Sequence, residues 1–205
     1  MRQSPLRRGL DVVVSGTGLL LTCWLGAMAA LAVRFSSPGP ILHQATRVAR
    51  GGGTFTLYKF RSMKVSSTES GPAVTAGGDP RITGVGRILR ATKVDEWPQL
   101  WNVLRGDMSL VGPRPEDPRY VAGYDDTQRD VLLARPGITS PASIEYRHEE
   151  ERLAEFVDDG MDLEDAYAKV LADKLRIDRE YLTRRTVSSD LRVIADTLAA
   201  VIRSG

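Results

Sequence analysis

Two adjacent carboxylates, Asp95 and Glu96, open the stretch DEWPQLWNVLRGDMSLVGPRP (95–115). Their types and position fit two uses. As local structure, an aspartate at a helix start accepts backbone N–H bonds, and a glutamate in the first turn suits the positive end of the helix dipole. As chemistry, a carboxylate held ionised at such an end can attack phosphorus. Its neighbour can hold Mg2+, which typically takes one or two carboxylates plus substrate phosphates. The cations of the central segment point toward phosphate as well. Lys59, Arg61, Arg81, Arg90, Arg114 and Arg135 belong to a basic set that outnumbers the nearby acids. Singly, each reads as a solvated surface charge. Together they suit a phosphate-rich substrate, because arginine pairs bidentately with phosphate oxygens. Pro113 and Pro115 fix the backbone on both sides of Arg114.

These groups need elements to hold them. Trp97, Leu100, Trp101 and Leu104 fall at i, i+3, i+4 and i+7, one apolar helix face. Pro98 is tolerated only in a first turn, so the spacing predicts a helix starting near Asp95 or Glu96 and stopping at Gly106. ILHQATRV and TFTLYKF read as two strands around Arg50-Gly51-Gly52-Gly53, a hairpin. Residues 66–80 are polar and glycine-rich, a loop. ITGVGRILRATKV is compatible with a short helix carrying Arg87 and Arg90 on one face. A helix is expected from about Arg119 to the Arg135-Pro136-Gly137 stop. Beyond Glu149 the chain reads as helical, with stripes Leu163, Tyr167, Val170, Leu171, Leu175 and Val187, Leu191, Ile194, Leu198, Val201. The expectation is a mostly α fold with a small β-hairpin. His43 and His148 are isolated and read as structural or surface.

The 205 residues carry 28 basic and 26 acidic side chains, a net charge of +2. That balance speaks against a nucleic-acid partner, which needs a basic excess. With one cysteine, Cys23, no internal disulfide can form. Residues 12–33 contain no charge and would make a helix roughly 33 Å long, about the thickness of a bilayer core. A spanning helix, a signal segment and a helix that enters and returns on one side all compete. Basic residues at both flanks favour two cytoplasmic ends, which a simple span does not satisfy. Gly16, Gly18 and Gly26 are the candidate bend points, with Ser15, Thr17 and Thr22 able to bond freed carbonyls. Ser36-Ser37-Pro38-Gly39-Pro40 marks a boundary between a membrane segment, 1–36, and a catalytic domain, 37–205.

The order of YKFRSM (58–63), DPRITGVGRILR (79–90), the 95–115 stretch and RPGIT (135–139) resembles the bacterial sugar transferases, small monotopic polyprenyl-phosphate phosphoglycosyl transferases. The resemblance runs from about Arg7 to the C-terminus. It implies a re-entrant membrane helix ahead of a compact helical catalytic domain on the cytoplasmic face of a bacterial inner membrane. It also implies transfer of a sugar-1-phosphate from a UDP-sugar to polyprenyl phosphate, with Mg2+ and release of UMP, as the first step of glycan assembly. Asp95 would be the nucleophile forming a covalent phosphosugar, and Glu96, with Asp95, the magnesium partner. Lys59, Arg61, Arg81, Arg90, Arg114 and Arg135 match the family's basic motifs and would contact phosphate or nucleotide. Two departures stand out. The family's helix is commonly broken by Ser-Pro, where this chain has Cys23-Trp24, leaving Gly26 as a substitute breaker. Trp97 replaces the usual leucine after the dyad. A non-catalytic scaffold of the same fold and a glycosyltransferase moving the sugar alone are the rival readings. The C-terminal helices offer a surface for a homodimer.

Overall fold

A computed structural model describes residues 4–65 and 79–204. Ser4 caps the first helix by accepting from the Arg7 amide, and Pro5 takes its first position, where a missing N–H costs nothing. This helix, α1, is Pro5–Leu21, and α2 is Cys23–Ser36. The two meet at 63°, with the break at Thr22. Thr22 donates from both its amide (3.0 Å) and its hydroxyl (2.6 Å) to the Gly18 carbonyl. Such back-bonding bends helices. The three glycines are therefore not the bend. Gly16 and Gly18 instead face the tips of Leu104 and Leu100, and Gly26 lies beyond the break. Among the described residues no single helix is long and apolar enough to cross a membrane, whereas the bent pair together meets that length and composition.

The hairpin forms as expected. β1 (Leu42–Val48) pairs antiparallel with β2 (Thr54–Phe60), with His43 opposite Lys59. Next come α3 (Gly84–Ala91), a 3-10 turn at Val94–Glu96 and α4 (Gln99–Arg105). The fully buried Asn102 side chain ties α4 to β2, accepting from the Tyr58 amide (3.1 Å) and donating to the Thr56 carbonyl (2.8 Å). A second, parallel pair was not foreseen. β3 (Ser109–Val111) pairs with β4 (Gly137–Thr139), with α5 (Pro118–Ala122) between them. A Cβ on Gly137 would stand 2.2 Å from the Gly112 nitrogen, so only glycine permits this crossing. Three-residue strands carry too little periodicity to be read from sequence.

The helix expected from Arg119 is interrupted. After α5, Asp125 accepts from the Gln128 amide and the Thr127 hydroxyl, a local turn that competes with helix. A 3-10 stretch, Gln128–Leu133, follows. The C-terminal part is helical as expected: α6 (Pro141–Glu145), α7 (Glu149–Asp158), α8 (Leu163–Arg184) and α9 (Val187–Ser204). The α8 stripe at Tyr167, Val170, Leu171 and Leu175 is core, packed with Leu153, Val121 and Tyr124. The α9 stripe is offset: Val193 is buried, while Leu191 and Leu198 are exposed. The 66–80 loop expectation falls, for 66–78, outside the described residues.

Polar bonds fasten the start of α1 to the catalytic fold. Arg7 donates to Asp190 (2.9 Å), and Arg8 donates to the last carbonyls of α4, Val103 and Leu104. Buried Asp11 accepts from the Ser109 hydroxyl and the Leu110 amide. The first turns of α1 thus belong to the same packed body as the dyad.

Candidate active site

The 3-10 turn Val94–Glu96 packs against α2, α3 and β2. It is entered through Lys93 at φ 57°, the one non-glycine residue with positive φ among those described. Held strain of this kind costs of order 1–3 kcal/mol and concentrates at functional sites.

Asp95 does not act as a helix cap. Neither the turn nor α4 has a side-chain cap, and the buried Asp95 Oδ1 has no hydrogen-bond partner. Nor does its position at a helix start lower its affinity for a proton. Burial, and then the charge of Glu96, push the Asp95 carboxyl up to about 6, against the opposing pull of Lys59, Lys93 and Arg90. It remains mostly ionised at neutral pH, yet poorly solvated. An unsatisfied buried acceptor costs about 1–3 kcal/mol, which an incoming donor or cation would relieve.

Glu96 goes the other way. Burial would raise it, but Arg114, Lys93 and Lys59 outweigh that and hold it below the ordinary range. Arg114 Nη2 donates to Glu96 Oε1 at 3.1 Å, and Glu96 strengthens the hold of Arg114 on its proton. The two carboxyls are thus pushed apart, a mark of divided roles. Buried Pro113 and Pro115 present Arg114 from the loop after β3. The Lys59 side chain, on β2, makes no hydrogen bond or ion pair among the described residues. Burial lowers its pKa first, with Asp95 and Glu96 acting to retain its proton. Arg90, on α3, pairs with Glu150 at the start of α7.

Of the six expected cations, the structure gathers Lys59, Arg90 and Arg114 around the dyad. The other three are engaged elsewhere. Arg81 is bonded to its neighbour Asp79 (2.6 Å). Arg135 lies in the field of Arg8, Arg50, Asp11 and Asp107. Arg61 is buried and donates to the Val33, Ser37 and Pro38 carbonyls, capping the end of α2. Arg61→Met is expected to lower stability by about 2–4 kcal/mol, since charged hydrogen bonds contribute about 1.5–3 kcal/mol each and losses partly overlap. Thermal unfolding checks this, and the apparent affinity for a sugar nucleotide in the surviving folded fraction should be unchanged.

Three contributors escaped sequence reasoning. Lys93 acts on both dyad carboxyls, Asn102 locks β2 to α4, and Trp97 reaches the helix break. The αL backbone of Lys93 and the partners of Asn102 have no local sequence signal. Trp97 was visible as an apolar-face residue and as a departure from leucine, neither of which names Thr22 as its partner. A recess behind the loop is lined by Val48, Pro113, Arg114, Glu116, Tyr124 and Pro136 and excludes the dyad.

The dyad fits Mg2+ in one respect. The orphaned Asp95 oxygen beside Glu96 is a one- or two-carboxylate donor set of the kind magnesium completes with substrate phosphates and water. Among the described residues no group of three or more potential ligands is present, so substrate and water oxygens would have to supply the rest of the shell.

Comparison with known proteins gives the family. The family model for bacterial sugar transferases matches residues 2–204. A UDP-glucose:undecaprenyl-phosphate glucose-1-phosphate transferase of Caulobacter vibrioides is 35% identical over 96% of this chain and 69% of its own length. An exopolysaccharide production protein of Rhizobium leguminosarum is 35% identical over 98% of this chain and 96% of its own. A UDP-N-acetylgalactosamine-undecaprenyl-phosphate N-acetylgalactosaminephosphotransferase of Aeromonas hydrophila is 37% identical over 68% of this chain, but the match spans only 34% of that relative. The dyad turn, the Arg114 loop and the bent helix pair all lie inside the matched region, and the chain belongs to the bacterial sugar transferase family.

Proposed function

We propose that this protein transfers a sugar-1-phosphate from a UDP-sugar to polyprenyl phosphate, releasing UMP, and so begins assembly of a glycan on a lipid carrier. The observation that carries the reading is the buried, unpartnered Asp95 oxygen among Lys59, Lys93 and Arg90. Family membership and the names of the relatives support the substrate classes.

The residues divide the work. The cations receive the diphosphate of the sugar nucleotide, and Lys59 offers an ammonium with no competing ion pair among the described residues. Asp95 attacks the sugar-bearing phosphorus; an Asp95 O–P bond forms and the bond to the UMP oxygen breaks. Poor solvation makes this carboxylate a ready nucleophile. UMP leaves, an oxygen of the lipid phosphate attacks the same phosphorus, and the Asp95 carboxylate departs. Both steps spread charge over equatorial phosphoryl oxygens, which Arg114 and Arg90 would stabilise. Mg2+ held by Asp95 and Glu96 with substrate oxygens would neutralise part of that charge.

The bent pair α1–α2 supports a re-entrant attachment to the inner membrane, with the catalytic fold on the cytoplasmic face. Leu20, Leu21, Trp24, Met28, Leu31 and Phe35 are exposed apolar side chains around and beyond the bend, suited to lipid contact.

The test is the identity of the products. Protein in polyprenyl-phosphate vesicles with Mg2+ and a panel of UDP-sugars should release UMP and yield a lipid-linked diphosphosugar. UDP as the nucleotide product would identify a transferase of the sugar alone. Absence of lipid-linked product with every donor would leave a non-catalytic scaffold.

A further inference from the structure

Trp97, two residues after Asp95, joins the dyad turn to the break in the N-terminal helix pair. Its indole Nε1–H donates to the Thr22 hydroxyl at 2.7 Å. That hydroxyl spends its own proton on the Gly18 carbonyl at 2.6 Å, so it presents a lone pair to the indole. The far edge of the ring fills the space over Gly26, where an added Cβ would stand 2.7 Å from the ring. Its face stacks on Phe60, the neighbour of Lys59, with ring centres 6.1 Å apart and planes 12° from parallel. Ala29, Val33 and Leu89 complete the cluster. One side chain thus touches the residue that bends α1–α2, the first turns of α2 and the strand that carries Lys59. No proline enforces the bend.

We propose that Trp97 is a positioning residue that fixes the Thr22 bend against the dyad turn and thereby sets where Asp95 stands relative to the membrane surface. The inference rests on the proposed two-step reaction and adds a division of labour to it. The groups gathered for the sugar nucleotide come from β2, α3 and the 113–115 loop, none of them on α1 or α2. The lipid phosphate, by contrast, is confined to the headgroup plane, whose level is set by how α1 and α2 sit in the bilayer. Loosening the joint should therefore spare the first step and slow the second, because a misplacement of about 1 Å can cost about 100-fold.

The experiment uses full-length protein in polyprenyl-phosphate vesicles and reads the two steps separately. UMP release in a single turnover without lipid reports the first; chase of the labelled protein by lipid phosphate reports the second. Thr22→Val and Trp97→Phe each remove one half of the hydrogen bond and keep the apolar shape. Each is expected to slow the chase about tenfold and leave UMP release within about twofold. The double variant should be no slower than either single one. Gly26→Ala is expected to slow the chase through collision with the indole. In Trp97→Leu, where the shorter side chain vacates the slot, adding Gly26→Ala should cost nothing further. Equal losses in both steps, no loss in the chase, or additive losses in the double variant would overturn the positioning role. Failure of the wild-type protein to release UMP or take up label would instead sink the two-step reading itself.

Discussion

Asp95→Asn is expected to abolish the reaction while leaving the protein folded and more stable. With labelled UDP-sugar and Mg2+, the wild-type chain should retain sugar phosphate on Asp95, and the variant should retain none. The rate of UMP release should fall by about 10^4-fold or more, the scale seen when a nucleophile is removed from a cooperating set. The carboxamide fills the same space but has no charge to attack with. The stability gain follows from the raised pKa, about 6 against 3.8. A carboxyl raised on folding carries no penalty below the unfolded pKa. The penalty grows as the pH rises from the unfolded value toward the folded one and levels off above it, so it is present in full at neutral pH. Two pKa units correspond to about 2–3 kcal/mol, the expected order of the gain at pH 7 and absent near pH 3. The wild-type labelling rate should show the complementary limb, falling about tenfold per pH unit below 6 as Asp95 takes up a proton. Label retained by the asparagine variant would remove Asp95 from the nucleophile's place.

Arg114→Ala carries the second-largest expected loss, about 10^2–10^3-fold in the rate of UMP release, as for removal of one preorganised donor to developing charge. Two effects act together. On the proposed reaction, the guanidinium held between Pro113 and Pro115 no longer meets the phosphoryl oxygens. Glu96 also loses the cation that does most to offset its burial, so it holds a proton more tightly and its fitness as a magnesium partner falls. Arg114→Lys should recover only part of the activity, because an ammonium cannot pair bidentately. Single-turnover rates across pH 5 to 8 separate the contributions. The lysine variant should stay near the wild-type pH profile, and the alanine variant should gain a new acid limb. Wild-type rates in Arg114→Ala would assign this arginine to structure alone.

The candidate dyad stood out because its motif is long, from Asp95 to Pro115, although the helix expected to start at Asp95 or Glu96 starts only at Gln99, after a 3-10 turn, and Trp101 of its expected apolar face is exposed. The hairpin was legible from alternation and a glycine turn, and α8 from its apolar stripe. Arg61 shows what a motif leaves open. It sits in a basic motif, yet its guanidinium is consumed by the carbonyls that end α2, because a helix terminus next to a buried arginine offers better acceptors than open solvent. Gly16, Gly18 and Gly26 are the weak points visible in sequence, with Ser15, Thr17 and Thr22 as residues able to bond the freed carbonyls. The bend was made by Thr22, whose second bond to Gly18 depends on where its hydroxyl points.

What the sequence by itself determined is type and order: a candidate pair of carboxylates, a set of cations, an apolar run, and the family they resemble. Those follow from residue type and local spacing, and they survive any detail of packing. The tertiary structure alone decided which cations surround Asp95, that its oxygen is buried without a partner, and that Trp97 bonds to Thr22, 75 residues away. These depend on desolvation and on contacts between distant segments. A charge in a motif reads the same whether it faces phosphate or a backbone carbonyl; only folding settles which of the two it meets.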